Sequence, residues 1–306
     1  MDPIYRKFYR SFYMRTGGFI PAGPLNQYLY PGDFFQVMNG EMVVLGNIYR
    51  NKVIDIENCD LDYGIKLSPL GWNFGDGVSK PYSGRSGGNS LSSGDFEFSR
   101  QVLAFAYRGA FFFKGDEPES VKINNWQDIS MQLIIKLTQT HYSFRELYVV
   151  TESATTSAWT LAIAGSERAE LEIAGEQENF GLADIFGHES AKTVQSKDIE
   201  FYQREVARRP VFFKARKLVV QDEKLSALVN QLIGQQLDQY NWAQEFFKYD
   251  YGEGLPYHTQ APANAQASLL DLLPANELNP NTALQYFRWA DANLDDIEKL
   301  FITYGN

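Results

Sequence analysis

A chain of 306 residues with 44% hydrophobic and 22% charged residues can bury a full core and is too apolar for wholesale disorder, so it reads as a folded, soluble protein of one large or two smaller domains. Its net charge of −10 disfavours nonspecific nucleic-acid binding, and a single cysteine, Cys59, excludes an intramolecular disulfide framework and a Cys-based zinc site and makes a reducing compartment the expectation. No apolar run approaches the roughly 18 to 20 residues a spanning helix needs, and Arg6, Lys7, Arg10 and Arg15 interrupt the N-terminus where the apolar core of a secretory signal would lie.

Residues 2–15 place Ile4, Phe8 and Phe12 at helical spacing, with Tyr5, Tyr9 and Tyr13 beside them and the basic residues on the remaining arc. Asp2 and Pro3 form a helix start and Gly17-Gly18 a stop. Such a helix either lays its aromatic stripe on a core or lies in a lipid interface, and both can hold in different states of one protein. Residues 31–50 predict two strands joined at Asn39-Gly40, the strongest short hairpin signal. The Gly/Ser-rich stretch from Gly71 to Gly94 has no phosphate-binding pattern and reads as a mobile loop.

Phe96 to Lys114 has strand composition throughout, with Val102, Ala104 and Ala106 facing one way and Leu103, Phe105 and Tyr107 the other. Asn125 followed by Asp128 resembles a capping box, and Trp126, Ile129, Leu133 and Leu137 recur at helical spacing, although alternation through Ile129, Met131, Leu133, Ile135 and Leu137 fits nearly as well. Leu147 to Thr151 reads as a buried central strand. A hairpin is predicted after it, with Trp159, Leu161 and Ile163 on one arm, the turn at 165–168, and Ala169, Leu171 and Ile173 opposed by Glu170 and Glu172 on the other. That apolar/charged alternation suits a half-buried sheet or a strand of a membrane β-barrel, and pattern alone does not choose.

Residues 178–209 are polar and mixed, and residues 212–220 predict a closing strand. Leu225, Leu228, Val229, Leu232, Ile233 and Leu237 form a helical stripe, residues 249–282 read as an exposed, protease-accessible connection, and apolar positions from Leu284 to Phe301 suggest a short helical hairpin. Charge is divided along the chain. From Asp222 onward 12 acids stand against four bases, a net −8 that leaves −2 for residues 1–221, while residues 1–15 carry +3. An acidic tail and a basic head are either ordinary solvation or a mask over a surface meant for anionic lipid.

Catalytic patterns are missing. His141, His188 and His258 are far apart in metal-ligand terms, and Cys59 with a distant His is a weak nucleophile pair. Asp291, Asn293 and Asp295 begin like a calcium loop, but Asp296 stands where glycine is needed and Ile302 where glutamate is needed. Asp60 and Asp62 read as a solvated turn. The expectation is a non-enzymatic protein with no cofactor and no metal.

The order of these pieces resembles the pore-forming domain of the gasdermin family over about residues 1–222. The matching stretches are Tyr148-Val149-Val150-Thr151-Glu152 and Phe213-Lys214-Ala215-Arg216-Lys217-Leu218-Val219-Val220. No cysteine stands near the N-terminus, where bacterial gasdermins carry a lipid-modified one. The resemblance implies an α+β fold: a twisted mixed or antiparallel sheet with an N-terminal amphipathic helix and flanking helices, followed by an acidic, helical, autoinhibitory segment at 223–306 whose exposed linker spans about 249–282. It implies a latent protein, cytoplasmic while inactive, that an activating protease releases to bind anionic membrane lipid. The released domain would self-associate into a homo-oligomeric β-barrel pore and cause cell lysis or death, as in antiviral defence.

On this reading Ile4, Arg6, Lys7, Phe8, Arg10 and Phe12 meet the membrane. Val102, Ala104, Phe105, Trp159, Leu161, Ile163, Leu171 and Ile173 belong to pore hairpins. Leu225, Leu228, Leu232, Leu294, Ile297 and Phe301 hold the inactive state. The alternative is a β-rich structural or binding subunit of a larger assembly in which the same strands stay in place.

Overall fold

The computed structural model describes residues 1–88, 96–139, 147–176, 186, 192–221, 283–285 and 287–302. Leu225, Leu228, Leu232, the 249–282 connection and the three histidines lie outside them. Helix α1 (Arg6–Thr16) follows a 3-10 turn at Pro3–Tyr5 that Asp2 caps, its Oδ1 accepting from the Ile4 N–H at 2.9 Å. Gly17 ends the helix in the left-handed conformation, φ 72°. The chain continues through β1 (Ile20–Pro21), the hairpin of β2 (Asp33–Met38) and β3 (Glu41–Asn47), and β4 (Leu61–Lys66). Asn39 and Gly40 both take positive φ, 52° and 78°, as a two-residue hairpin turn requires.

Next come β5 (Asn73–Asp76), β6 (Val78–Gly88), β7 (Phe96–Phe105), β8 (Phe111–Asp116), β9 (Glu119–Ile123) and helix α2 (Trp126–Gln139). After them lie β10 (Tyr148–Thr155), β11 (Ala158–Ala164), β12 (Ala169–Glu176), β13 (Lys192–Lys197), β14 (Ile199–Glu205) and β15 (Phe212–Val220). Strand β16 (Phe287–Asp291) and helix α3 (Leu294–Lys299) follow.

The fold is α+β, and every strand pairing among the described residues is antiparallel. An eight-stranded sheet runs β1-β15-β10-β2-β3, with β16 on β15, β9 on β10 and β4 on β9. The β-branched and aromatic run Tyr148-Val149-Val150 lies at its centre and is buried on both faces. On one face α2 packs Ile129, Leu133 and Leu137 over Val149 and Phe34. On the other, α1 inserts Phe8 and Phe12 between Phe212 of this sheet and Phe111 and Phe113 of β8. Each fully buried Phe contributes on the order of 1.5–3 kcal/mol, so α1 is held by its aromatic stripe.

Two four-stranded sheets complete the architecture, in the orders β14-β11-β8-β5 and β13-β12-β7-β6. Their orders correspond strand for strand along the chain: β5 leads into β6, β7 into β8, β11 into β12 and β13 into β14. They are therefore one four-stranded ribbon folded along a crease. Leu103, Phe105, Leu171 and Ile173 of one half pack on Phe112, Ala162 and Ala164 of the other.

This geometry corrects several expectations. Residues 158–173 are not a hairpin: β11 pairs with β8 and β14, and β12 with β7 and β13, so 165–168 is a corner between sheets. β11 is buried on both faces, with Trp159, Leu161 and Ile163 toward α1 and Ala162 and Ala164 toward the crease interior. The Gly-rich stretch 71–94 is not a loop throughout, since β5 and β6 lie in it; small residues pass where Gly75 leaves only 2.7 Å between an added Cβ and Phe112. The 96–114 run breaks into two strands at 106–110. Helix over 126–139 prevails over alternation. Asn125 does not close a capping box: its Nδ2 donates to the Asn58 carbonyl and its Oδ1 accepts nothing. The chain from Phe287 to Asp291 is a strand, because the open edge of β15 supplies the pairing that helical periodicity does not anticipate. Asp62 lies on β4, not in a turn.

Candidate functional site

Among the described residues, chemistry from distant parts of the chain converges at the seat of the C-terminal segment. Strand β16 pairs with β15 from Arg216↔Asp291 to Val220↔Phe287. Arg216 Nε donates to Asp291 Oδ1 at 3.0 Å across that ladder, and Trp289 donates through Nε1 to the Ser130 carbonyl of α2 at 2.9 Å while meeting the Trp126 ring edge-on. The chain then turns into α3 through a complete capping box. Asn293 Oδ1 accepts from the Asp295 and Asp296 N–H groups, and Asp296 Oδ2 accepts from the Asn293 N–H at 2.8 Å. The acidic spacing that resembled a calcium loop is this cap.

Helix α3 rests on α1 and on the central sheet. Ile297 and Leu300 are buried with Ile20, Phe35, Met42 and Phe213, and Phe301 meets Tyr9 edge-on at 5.5 Å. A residual cavity beside Ile297 and Leu300 measures about 10 Å³, room for about one water, so the segment fills its seat. The β2–β3 turn closes the far side: a Cβ on Gly40 would lie 2.4 Å from the Met1 nitrogen and 2.7 Å from the Leu300 carbonyl oxygen.

Asp296 is the electrostatic centre. It is 4% exposed, and its Oδ1 accepts from Tyr148 Oη at 2.8 Å, Lys217 Nζ at 2.8 Å and Lys299 Nζ at 3.2 Å. Burial pushes its pKa up, but the Lys217 hydrogen bond, the Asn293 N–H and the two ammonium charges outweigh burial and hold it below the usual carboxylate range. Burial, reinforced by Asp291 and Asp296, pushes the neighbouring Tyr13 phenol up.

Three cations of the basic arc of α1 are held by two carboxylates. Arg6 and Arg10 both pair with Glu298, Arg10 at 3.0 Å, and Lys7 pairs with Asp76. Lys7 also donates to the Tyr107 hydroxyl, which in turn donates to Asp76. The hydrogen bonds that Asp76 accepts, from Lys7 first and then from Tyr107, hold it below the ordinary carboxylate value.

The structure brings together Ile4 of the 3-10 turn and Arg6, Lys7, Phe8, Arg10 and Phe12 of α1 with Ile297 and Phe301, and packs Leu294 partly against the same core. Ile4, Phe8 and Phe12 are buried, so the apolar stripe turns inward, while Arg6, Lys7, Arg10, Arg15 and Met14 face outward. Trp159, Leu161 and Ile163 join this core, whereas Phe105, Leu171 and Ile173 line the crease interior and Val102 and Ala104 are half-buried. Glu298, Trp289 and Asp76 had no place in the sequence reading, and Asp296, Lys217 and Tyr107 had no site role in it. The opposite charges of the two ends pointed to a head-to-tail contact but not to its residues. Among the described residues no group of three or more His, Cys, Asp or Glu could hold a metal ion, and no helix is long and apolar enough to cross a membrane. No protein-family model and no curated protein matches this chain.

Proposed function

We propose that this is a latent pore-forming protein, related to the gasdermins, in which the C-terminal segment is the latch. The observation that carries the reading is Glu298: one carboxylate on α3 pairs with both Arg6 and Arg10, while the same segment plugs the apolar seat beneath them. Cutting the chain within 249–282 turns an intramolecular latch into a separable one. Anionic headgroups then compete with Glu298 for the cations of α1.

The folded ribbon supports the second half of the proposal. Its two hairpins, β6–β7 and β12–β13, already lie side by side through the β7–β12 pairing. β6 and β7 are 11 and 10 residues long, against the roughly 9–11 a membrane-crossing strand needs. The crease interior is apolar, whereas Glu170 and Glu172 point away from it. Opening the crease presents Leu103, Phe105, Leu171 and Ile173 to lipid and leaves the glutamates to an aqueous lumen, the alternation a barrel strand requires. Side-by-side addition of further copies closes the edges that a lone ribbon leaves open. Lysis of the host cell, as in antiviral defence, is the biological outcome proposed.

Dye-loaded vesicles of phosphatidylcholine with and without phosphatidylserine test this directly. Protein cut within 249–282 releases dye from the anionic vesicles and intact protein does not. Cut protein that leaves them sealed refutes pore formation and favours a static β-rich subunit.

A further inference from the structure

We infer that Lys7 is a clasp that keeps the four-stranded ribbon folded, so that α1 couples lipid binding to opening of the crease. Each of the four strands turns the crease with one residue in the left-handed region: Gly77 at φ 64°, Gly109 at 81°, Arg168 at 60° and Asp198 at 57°. Two of these carry a Cβ, which that conformation disfavours, so the crease holds backbone strain that straightening relieves. Neighbouring corners are stitched by three short hydrogen bonds, from the Ala106 N–H to Gly77 O, the Gly109 N–H to Ala164 O and the Gly165 N–H to Asp198 O, each 2.8 Å.

The 3-10 turn that leads into α1 lies across this row. The Ile4 carbonyl oxygen is 3.5 Å from where a Gly109 Cβ would stand, and Tyr5 meets Phe201 of β14 edge-on at 5.4 Å. Lys7 grips two corners at once: it pairs with Asp76 before the first corner, donates to the Tyr107 hydroxyl in the second, and stands 4.3 Å from the Tyr107 ring centre. Tyr107 itself packs directly on Gly77, where an added Cβ would come within 2.5 Å of its ring. Lys7 therefore ties two neighbouring corners of the crease together over its packed interior, and a phosphate that takes that cation removes the tie. Arg6 and Arg10 do not share this role, because their partner Glu298 is on the latch.

The coupling to lipid rests on the pore reading, but the clasp is tested without lipid. Amide hydrogen exchange of the intact chain is compared with Lys7→Gln, with Asp76→Asn and with the swap Lys7→Asp/Asp76→Lys. In both single variants the amides of Ala106, Gly109 and Gly165 exchange about two- to fivefold faster, the scale of losing an exposed ion pair with its shared hydrogen bonds. The Ala292 amide, which bonds to Ala215 O at the latch, is unchanged, and the swap restores the crease. Unchanged crease amides, or equal acceleration at Ala292, overturn the clasp. Cut wild-type protein that leaves phosphatidylserine vesicles sealed refutes the pore reading alone and leaves the crease result standing.

Discussion

Leu300→Ala separates two accounts of what holds the latch. Leu300 is fully buried beside Ile20, Met42 and Phe213, and truncating such a leucine costs about 2–5 kcal/mol, from lost transfer energy and the cavity left behind. Glu298→Gln removes two ion pairs whose arginines are more than half exposed, each worth about 0.2–1 kcal/mol after solvent screening. A loss of about 3 kcal/mol opens the latch on the order of 150-fold more often, whereas the charge variant, at about 0.4–2 kcal/mol for the two pairs together, is expected to stay within about thirtyfold. Exchange of the Ala292 amide and of the β15–β16 ladder reads this opening in the intact chain, with α2 amides as the internal reference. Glu298→Gln accelerating those amides as much as Leu300→Ala would refute the view that apolar seating supplies the hold and charge only the address.

The acid response of the latch follows from Asp296. Its pKa is depressed in the folded state, so its contribution is present above the unfolded value of about 3.9 and is lost as pH falls through the folded one. Latch opening, corrected for intrinsic exchange, is therefore flat from pH 7 to about 5 and rises below about 4, and Asp296→Asn abolishes the rise while weakening the latch at every pH. Gly77→Val must place a branched side chain at positive φ and against the Tyr107 ring, and lowers unfolding stability by about 2 kcal/mol or more in denaturant titration. Reversing charge at Arg6, Lys7 and Arg10 together abolishes dye release by cut protein from anionic vesicles; unchanged release would remove α1 from lipid binding.

Much of the core was legible because local and tertiary signals agree. Tyr148-Val149-Val150 is apolar in every direction and lies at the centre of a sheet; Asn39-Gly40 turns a hairpin; Asp2, Pro3 and Gly17 bound a helix whose aromatic stripe is buried. The ribbon was misread where period-two patterning fixes the face of a strand but not its partner. Ala158–Ala164 and Ala169–Glu176 look like arms of one hairpin and belong to opposite sides of a crease, because the partners lie about 40 to 80 residues earlier in β7 and β8. The latch was legible as a charge complement between two ends and no further. Asp296 and Glu298 look like any acidic helix start until Lys217, Arg6 and Arg10 are brought beside them.

The claim that departure of the C-terminal segment is what releases activity is tested most directly by pinning that segment in place. Cysteines at Val219 and Arg288, directly paired across β15 and β16, in a Cys59→Ser background, allow the latch to be locked by oxidation after the chain is cut within 249–282. The account predicts that cut, oxidised protein leaves phosphatidylserine vesicles sealed and that reduction alone starts dye release. Equal release in both redox states, or none in either, would contradict it.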